Sequence, residues 1–456
     1  MEKIKLAIDY IESNKNNFME KLFDLLRRPS ISSQNIGVRE CGEALAEMVR
    51  GAGMEARVME TGGQPVVFAE RIVDPKLPTV LFYGHYDVQP PEPLEDWLSP
   101  PFEPTIRDGR IFARGAADNK GQMLCHVLAV EAWQKAEGTL PLNVKMIFDG
   151  EEESGSVNLE KFVSEHREML AADLVYTSDG PMHESGRPFV LLGVRGILYV
   201  ELRAQGAKWD NHSGNKGGIV PNPAWILVDL LRSMRDPNGK ILIPGFYDDV
   251  EPPSKRIMEL VRALPFDREK IRKTIGYDDL DLDPETYYRR LLLEPTFNIA
   301  GFGSGYLGEG MKTIIPGSAV LKMDMRLVVN QDPDDIFDKF EAHVRKHAPG
   351  VEVKKLGTMA PSRTSPDVPA VAKVIDAVRS AYNMEPVIQP TLGGSLPDAV
   401  WTRTMGTPSV MVPYANADES NHSPNENLVV ERFFDGIRCT CSVLSKLGGM
   451  EDEASR

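Results

Sequence analysis

A histidine and an aspartate follow the end of a strongly apolar segment in the first third of the chain. The stretch YGHYDVQP places His85 and Asp87 directly after the apolar run LPTVLF. A single histidine in such a position is more often a hydrogen-bonded core or loop residue than a metal ligand. These two residues alone therefore leave a structural role and a metal-binding role open.

Further acidic residues and a second histidine lie in short polar stretches of the same kind. They are Asp118 in ARGAADNKGQ, Glu151, Glu152 and Glu153 in DGEEESGS, Asp179 in TSDG, and His422 in ADESNHSPNE. Mixed histidine and carboxylate ligands suit zinc, and also manganese or cobalt. Two histidines and three carboxylates are too many for one tetrahedral ion, but they suit two ions that share a carboxylate.

An alternative interpretation is a solvated acidic rim in which the three glutamates begin an exposed helix. Acidic side chains gathered at one sheet edge would repel one another strongly without cations between them. The coincidence of all the candidate ligands at the ends of predicted strands therefore favours a site for two metal ions.

The elements that must position these residues alternate between strand and helix. Apolar runs in PTVLFYG, LNVKMIFDG and ADLVYTSDG predict strands, and LCHVLAVEAWQKA predicts a helix. This alternation is typical of an α/β domain with a mostly parallel central sheet. Ligands of such sheets bind beyond the carboxyl ends of the strands, where the polar stretches lie.

A second unit begins near Gly193 and interrupts this α/β pattern. Its segments predict the order β-α-β-β-α-β, which describes an α+β ferredoxin-like fold. In chain order they are RGILYVELRAQ, NPAWILVDLLRSM, TFNIAGF, SAVLKMDMRLVV, DPDDIFDKFEAHVRKHA and GVEVKKL. A charged, partly helical insert occupies about 235–295. The α/β pattern resumes near residue 362. We therefore expect a catalytic domain formed by residues 1–193 and 362–456, with an inserted domain at 194–361.

Composition narrows the classes of partner. The net charge of −15 argues against nucleic acids and anionic membranes. No run approaches the roughly 20 apolar residues that span a bilayer, and the first 30 residues predict one or two amphipathic helices ending at Pro29. Four cysteines, none in a CxxC pair, indicate reduced thiols and a cytoplasmic protein.

These motifs, taken in order, resemble the co-catalytic zinc metallopeptidase and amidohydrolase family. That family includes carnosinases, aminoacylases, bacterial glutamate carboxypeptidases and succinyl-diaminopimelate desuccinylase. The matching segments are YGHYDVQP, GRIFARGAADNKGQ, DGEEESGS, SDG, DNHSGNKGGIVPNP, KTIIPG, MDMRLV, GGSLPD and NHSPNE, from about residue 80 to 430. Longer matches, including Trp97 in EDWLSPPFEP, are most similar to the cytosolic nonspecific dipeptidase and carnosinase branch.

The resemblance implies a zinc-peptidase-like catalytic domain, an inserted lid or dimerisation domain, and two Zn²⁺ per subunit, with Mn²⁺ or Co²⁺ as alternatives. Asp118 would bridge both ions. His85 and Asp179 would bind one ion, and Glu153 and His422 would bind the other.

The same resemblance assigns residues beside the metal ligands. Asp87 would orient the imidazole of His85, and Glu152 would be the general base. Glu151 would be an exposed bystander, although a shift by one position within EEESGS remains an alternative. The peptide bond between Asp118 and Asn119 is expected to be cis.

Candidate substrate contacts lie in both predicted domains. Arg326 ends a period-2 strand and could hold a substrate carboxylate, or it could form an ordinary surface ion pair. The backbone of Gly393, Gly394 and Ser395 could bind an anion or simply form a tight turn. His212 could be a metal ligand, a surface residue or an oxyanion donor. The resemblance favours the oxyanion donor, reaching the neighbouring subunit of a homodimer.

We therefore expect a hydrolase that cleaves dipeptides or short peptides with a free C-terminal carboxylate. An N-acyl amino acid deacylase or desuccinylase is the alternative within the same family. A catalytically inactive metal-binding homologue is a second alternative, and a two-metal nuclease or phosphatase is a third. Retention of all five ligands and of Glu152 speaks against an inactive homologue.

Overall fold

The computed structural model describes the backbone of residues 2–449 and the side chains of residues 4–449. The strands are β1 Glu55–Met59, β2 Val66–Arg71, β3 Thr79–His85, β4 Thr105–Arg107, β5 Arg110–Phe112, β6 Asn143–Asp149, β7 Leu174–Thr177, β8 Phe189–Leu191, β9 Gly196–Gln205, β10 Asn211–His212, β11 Asn298–Ser304, β12 Ile314–Ile315, β13 Ser318–Leu327, β14 Glu352–Met359, β15 Val387–Gln389, β16 Ser409–Met411 and β17 Asn427–Val429. The helices are α1 Glu2–Ser13, α2 Lys15–Leu26, α3 Val38–Gly51, α4 Lys120–Glu137, α5 Leu159–Glu165, α6 Arg167–Leu170, α7 Ser213–Lys216, α8 Pro223–Met234, α9 Lys255–Arg262, α10 Arg268–Ile275, α11 Pro284–Leu293, α12 Pro333–His347, α13 Pro369–Tyr382 and α14 Val430–Leu447.

The larger sheet has the strand order β1-β2-β6-β3-β7-β16-β8-β15. The pairs β6/β3, β3/β7, β7/β16 and β8/β15 are parallel, whereas β1 and β2 form an antiparallel edge. Strand β6 is buried along its whole length, as a strand covered on both faces must be. The prediction of an α/β fold with a mostly parallel central sheet is confirmed.

The smaller sheet has the order β11-β13-β9-β14, and all its pairs are antiparallel. Helices α8 and α12 bury Leu227, Leu230, Ile336 and Phe340 in its core. Helix α12 begins where predicted, because Asp332 accepts hydrogen bonds from the first turn and proline follows it at N1. The predicted ferredoxin-like order is confirmed.

The charged insert forms helices α9, α10 and α11. Val261 and Leu292 of this insert pack with Val387 in the edge strand β15 of the larger sheet. The insert therefore connects the inserted domain to the catalytic sheet, a contact that its charged sequence does not reveal. We nevertheless propose that the domain boundaries lie between residues 193 and 194 and between residues 361 and 362.

Two chain crossings join the domains and lie side by side. The N–H of Val194 donates to the carbonyl of Ser362 at 3.2 Å, and the N–H of Ser362 donates back at 3.0 Å. A Cβ at Gly193 would lie 2.3 Å from the carbonyl oxygen of Ser362, so only glycine allows this approach. Leu392 donates to the carbonyl of Gly193 at 2.7 Å, which ties the loop after β15 to the crossing.

Between residues 2 and 449, no helix combines the length and the apolar character needed to cross a bilayer.

Candidate metal centre

The carboxyl edge of the larger sheet gathers most of the predicted metal ligands. His85 is the last residue of β3, and Asp179 lies two residues beyond the end of β7. Strands β6, β3 and β7 are parallel neighbours, so their carboxyl ends meet at one edge. Asp118 lies two residues before the start of α4.

One group of ligand atoms contains His85, Asp118 and Asp179. The Nε2 atom of His85 lies 3.1 Å from Oδ1 of Asp118 and 3.7 Å from Oδ2 of Asp179. One ligand atom from each residue lies within 4.8 Å of the other two, and all three residues are buried. This burial is not that of a solvated acidic rim, so that alternative is wrong for these residues.

A second group contains Asp118, Glu153 and His422. The Nε2 atom of His422 lies 3.1 Å from Oδ2 of Asp118 and 3.2 Å from Oε2 of Glu153. The two oxygens of Asp118 therefore face two different groups, as a bridging carboxylate requires. The structure brings the five residues together in two groups that share Asp118, while their binding of metal ions stays a prediction.

Asp87 connects the first group to the turn that carries the glutamates. Its Oδ1 atom lies 3.3 Å from Nδ1 of His85, on the far side of the ring from Asp118. Its carboxylate also accepts the backbone N–H groups of Glu152 at 3.1 Å and of Glu153 at 3.0 Å. Asp87 thus fixes the imidazole and the glutamate turn together.

Glu152 lies beside the metal-ligand groups without belonging to either. Its Oε2 atom is 3.9 Å from Nε2 of His85, farther than the neighbouring Asp118 oxygen. Glu152 and Glu153 begin a short 3₁₀ turn, Glu152–Ser154, so their side chains leave the backbone in different directions.

The expectation that Glu151 is an exposed bystander is wrong. Glu151 is buried, and its carboxylate accepts the backbone N–H groups of Gln64 at 3.1 Å and Asn158 at 2.6 Å. The two carboxylate oxygens of Glu151 therefore link two loops that are distant in sequence. The run of three glutamates in the sequence does not reveal these contacts. Glu151 therefore has a structural role.

Glu426 holds the segment that leads to Asp118, and sequence reasoning missed this function. Its carboxylate accepts hydrogen bonds from Arg114 Nη1 at 2.8 Å and from the N–H groups of Gly115, Ala117 and Asp118 at 2.9–3.0 Å. The signal lay in the quoted motif NHSPNE, whose last residue is this glutamate.

The peptide bond that follows Asp118 is cis, as expected from the sequence. The side-chain amide of Asn119 donates to the carbonyl of Ser178 at 2.7 Å. This contact links the start of α4 to the segment that carries Asp179.

The site concentrates charged groups away from water, which shifts their pKa values. Burial, together with the charge of Asp118, raises the pKa of Asp179 to about 7. Burial raises the pKa of Glu152 well above its ordinary range, against the opposing effect of His85. Hydrogen bonds to Asp118 and Glu153 raise the pKa of His422 to about 10. The raised pKa values show that bound protons reduce the repulsion between these carboxylates. Divalent cations would reduce the same repulsion in place of the protons, so the donor set fits two metal ions.

Glu419 is a further buried carboxyl near this site that sequence reasoning missed. Neither of its oxygens has a hydrogen-bond partner among the described residues. Burial and the charge of Asp118 raise its pKa to about 9. Glu419 therefore adds to the acidic character of the centre, although it lies outside both ligand groups.

The predicted substrate contacts other than His212 lie together, where β13 meets the loop after β15. Arg326 Nη1 donates to Ser395 Oγ at 2.7 Å, so the inserted domain touches the loop that contains Gly393 and Gly394. Leu396, next in that loop, lines the same small cavity as Asp179. The loop that contains Ser395 therefore adjoins Asp179 through Leu396.

His212 is not brought to the centre within one chain. It is exposed, and neither ligand group among the described residues includes it. Its Nδ1 atom accepts the N–H of Gly214 at 3.0 Å, which leaves Nε2 as the ring nitrogen that carries hydrogen in the neutral form.

The sequence is similar to characterised dipeptidases. Human Beta-Ala-His dipeptidase is 30% identical over 92% of this chain and 84% of its own length. The Cys-Gly metallodipeptidase of Schizosaccharomyces pombe is 29% identical over 98% of this chain and 100% of its own length.

The fold is similar to that of solved metallopeptidases. An M20 family metallo-carboxypeptidase from Sulfolobus solfataricus is 36% identical, with a TM-score of 0.88 over 94% of this chain and 99% of its own. The family model described as Peptidase family M20/M25/M40 matches residues 81–446, which include all five candidate ligands. The chain therefore belongs to peptidase family M20/M25/M40 and is a metal-dependent hydrolase.

Proposed function

We propose that this protein is a dinuclear metallodipeptidase that hydrolyses the amide bond of dipeptides or short peptides with a free C-terminal carboxylate. The observation that carries the proposal is the position of Asp118, whose two oxygens face separate ligand groups. The names of the two similar dipeptidases support dipeptides as the substrate class.

The two groups support an assignment of the metal ligands. Asp118 would be shared by both ions, His85 and Asp179 would hold one ion, and Glu153 and His422 would hold the other. We propose Zn²⁺ at both positions, with Mn²⁺ or Co²⁺ as alternatives that the same donors accept. Two such ions supply Lewis-acid chemistry, which acidifies water and polarises a carbonyl.

Glu152 is the general base in this proposal. Its carboxylate lies beside the ligands but is not one of them, so it is free to accept a proton at Oε from the attacking water. It then delivers this proton to the nitrogen of the leaving amine. Asp87 supports both functions, because it orients His85 and the backbone of Glu152.

Arg326, Ser395 and the backbone of Gly393 and Gly394 hold the substrate carboxylate in this proposal. The contact between Arg326 and Ser395 supports it, because a guanidinium and a hydroxyl converge there. In the described part of the chain, no hydrogen bond is donated by the N–H of residue 393, 394 or 395. These groups are available to an anion.

We propose a homodimer in which His212 donates to the oxyanion in the neighbouring subunit's site. The exposure of His212 and the free Nε2–H support this arrangement. The inserted domain also exposes large apolar side chains, which are characteristic of interaction surfaces. They include Trp209, Ile219, Trp225, Ile299, Phe302, Tyr306, Leu307 and Met311.

The proposed cellular setting rests on the four cysteines and the net charge. All four cysteines are buried free thiols, which supports a reducing compartment, and we propose the cytoplasm. The net charge of −15 supports the proposal that neither nucleic acids nor anionic membranes are partners.

A substrate panel tests the proposed reaction. Metal-loaded protein is incubated with dipeptides, their C-terminal amides and N-acyl amino acids, and released amino acids are quantified. We expect dipeptides with a free carboxylate to be cleaved fastest. Faster cleavage of N-acyl amino acids would assign the protein to the deacylase alternative. Cleavage of none of them would support the inactive homologue.

Arg326→Ala is expected to slow free dipeptides far more than their C-terminal amides. The reason is that the amides lack the charge that the guanidinium is proposed to hold. The comparison of kcat/KM for the two substrate classes measures this selectivity. Lys322→Ala, an exposed cation on the same strand, is the control. An equal loss on both classes would mean that Arg326 is structural.

A further inference from the structure

A second arginine lies beside Arg326 and has no part in the function proposed above. Arg195 immediately precedes β9, whose residue Ile197 pairs with Arg326 of β13. Side chains two residues apart in a strand share one face, so Arg195 is a diagonal neighbour of Arg326 across the pair. The two guanidinium groups therefore lie on the same side of the smaller sheet.

Both guanidinium groups also contact the same loop. Arg195 Nε donates to the carbonyl of Gly393 at 2.9 Å, while Arg326 Nη1 donates to Ser395 Oγ at 2.7 Å. The backbone N–H of Arg195 donates to the carbonyls of Leu392 and Gly394, both at 3.1 Å. Arg195 therefore binds this loop to the domain crossing, and Arg326 binds the same loop from strand β13.

The guanidinium of Arg195 has hydrogen-bond donors that the described residues do not use. A Cβ at Gly393 would lie 3.8 Å from Arg195 Nη2, in van der Waals contact, so glycine leaves room beside this nitrogen. Among the described residues, the carbonyl of Gly393 is the one hydrogen-bond acceptor of this guanidinium. The N–H groups of residues 393–395 are free in the same region.

The two positive charges lack matching negative charges. Within the described residues, neither Arg195 nor Arg326 forms an ion pair within 4.0 Å with a carboxylate. Asp324 on β13 attracts Arg195, but its carboxylate accepts the side-chain amide of Asn298 at 2.8 Å. Arg195 is only 7% exposed, and burial together with the charge of Arg326 lowers its pKa to about 10. Two neighbouring, partly desolvated cations are stabilised by an anion that carries two charges.

We propose that Arg195 and Arg326 form a dicationic subsite for a substrate whose C-terminal residue is aspartate or glutamate. Arg326 and Ser395 hold the α-carboxylate, and Arg195 holds the side-chain carboxylate. The Cα atoms of Gly393 and Ser395 lie at most about 7 Å apart. The two arginines therefore contact one short segment, beside which a single residue with two carboxylates can bind. This inference rests on the proposed peptidase function and names its preferred substrate.

The test compares Ala-Glu with Ala-Gln, which differ in one charge at nearly equal size. The wild-type protein is expected to cleave Ala-Glu with a kcat/KM about 10- to 100-fold higher, the range for hydrogen bonds between charged groups. Arg195→Met is expected to remove this preference by raising the KM for Ala-Glu, with much less effect on Ala-Gln. Arg195→Lys should restore part of the preference, because it retains the charge but not the planar fork.

The matched control is Arg203→Met, which removes an exposed arginine from β9, the strand that Arg195 precedes, and should leave the preference intact. If Arg195→Met slows both peptides equally, Arg195 only positions the loop and the inference is overturned. If the wild type cleaves both peptides equally well, the inference fails while the proposed function stands. If it cleaves neither peptide, nor any other dipeptide, the proposed function fails and the inference fails with it.

Discussion

Glu152→Gln is expected to retain both metal ions and to lower kcat by about 10²- to 10⁴-fold, the usual range for loss of a general base. The amide has the size of the carboxylate but cannot accept the proton of the attacking water. Glu153→Gln is expected to lose metal instead, because Glu153 lies 3.2 Å from His422 within a ligand group. Metal analysis and kcat on the same preparations separate the two effects.

The control for both substitutions is Glu165→Gln, which changes an exposed glutamate in the nearby helix α5. It should alter neither metal content nor turnover. The opposite pattern, with metal lost from Glu152→Gln and kept in Glu153→Gln, would exchange the two roles. The assignment of base and ligand within EEESGS would then be shifted by one position.

His212→Ala is expected to lower kcat by about 10²- to 10³-fold, as the loss of one oxyanion donor usually does. Its Nδ1 atom accepts the N–H of Gly214, which leaves Nε2–H as the donor of the neutral ring. Metal content should be unchanged, because His212 lies outside both ligand groups. Single-turnover kinetics measure the loss directly.

Subunit mixing tests whether this donor acts across a dimer. His212→Ala protein, whose activity is strongly reduced, is mixed with inactive Glu152→Ala protein, and the subunits are allowed to exchange. Each mixed dimer contains one site with an intact Glu152 and the neighbour's intact His212, so activity should partly return. Each variant incubated alone is the control. Mixed dimers that form and remain inactive, or a fully active wild-type monomer, would contradict action in trans.

Much of the fold could be predicted because its signals are local. The alternation in SAVLKMDMRLVV and the capped start of α12 each specify one element without reference to distant residues. The order of such elements then defined the ferredoxin-like sheet. His85, Glu153 and Asp179 could be placed at one edge because they lie at or just beyond the ends of the parallel strands β3, β6 and β7, whose carboxyl ends meet. The expectation that all five ligands lie at strand ends is wrong for Asp118, which precedes α4, and for His422, which lies in the loop between β16 and β17.

The remaining features depend on contacts between distant residues. Glu426 acts on Gly115 and Asp118, more than 300 positions away, and no local pattern encodes this contact. Glu151 appeared exposed because its neighbours in sequence are charged, although its true partners are Gln64 and Asn158. Arg195 gave no signal, because its position beside Arg326 arises only from strand register.

The most direct test of the account is a metal titration of stripped protein, with dipeptide hydrolysis followed at each addition of Zn²⁺ or Mn²⁺. We predict that activity rises until about two equivalents per chain are bound, because Asp118 connects two ligand groups. Asp118→Ala, which removes the shared carboxylate, should bind fewer than two equivalents and remain inactive. Full activity at one tight equivalent, with binding unchanged in Asp118→Ala, would contradict the dinuclear centre.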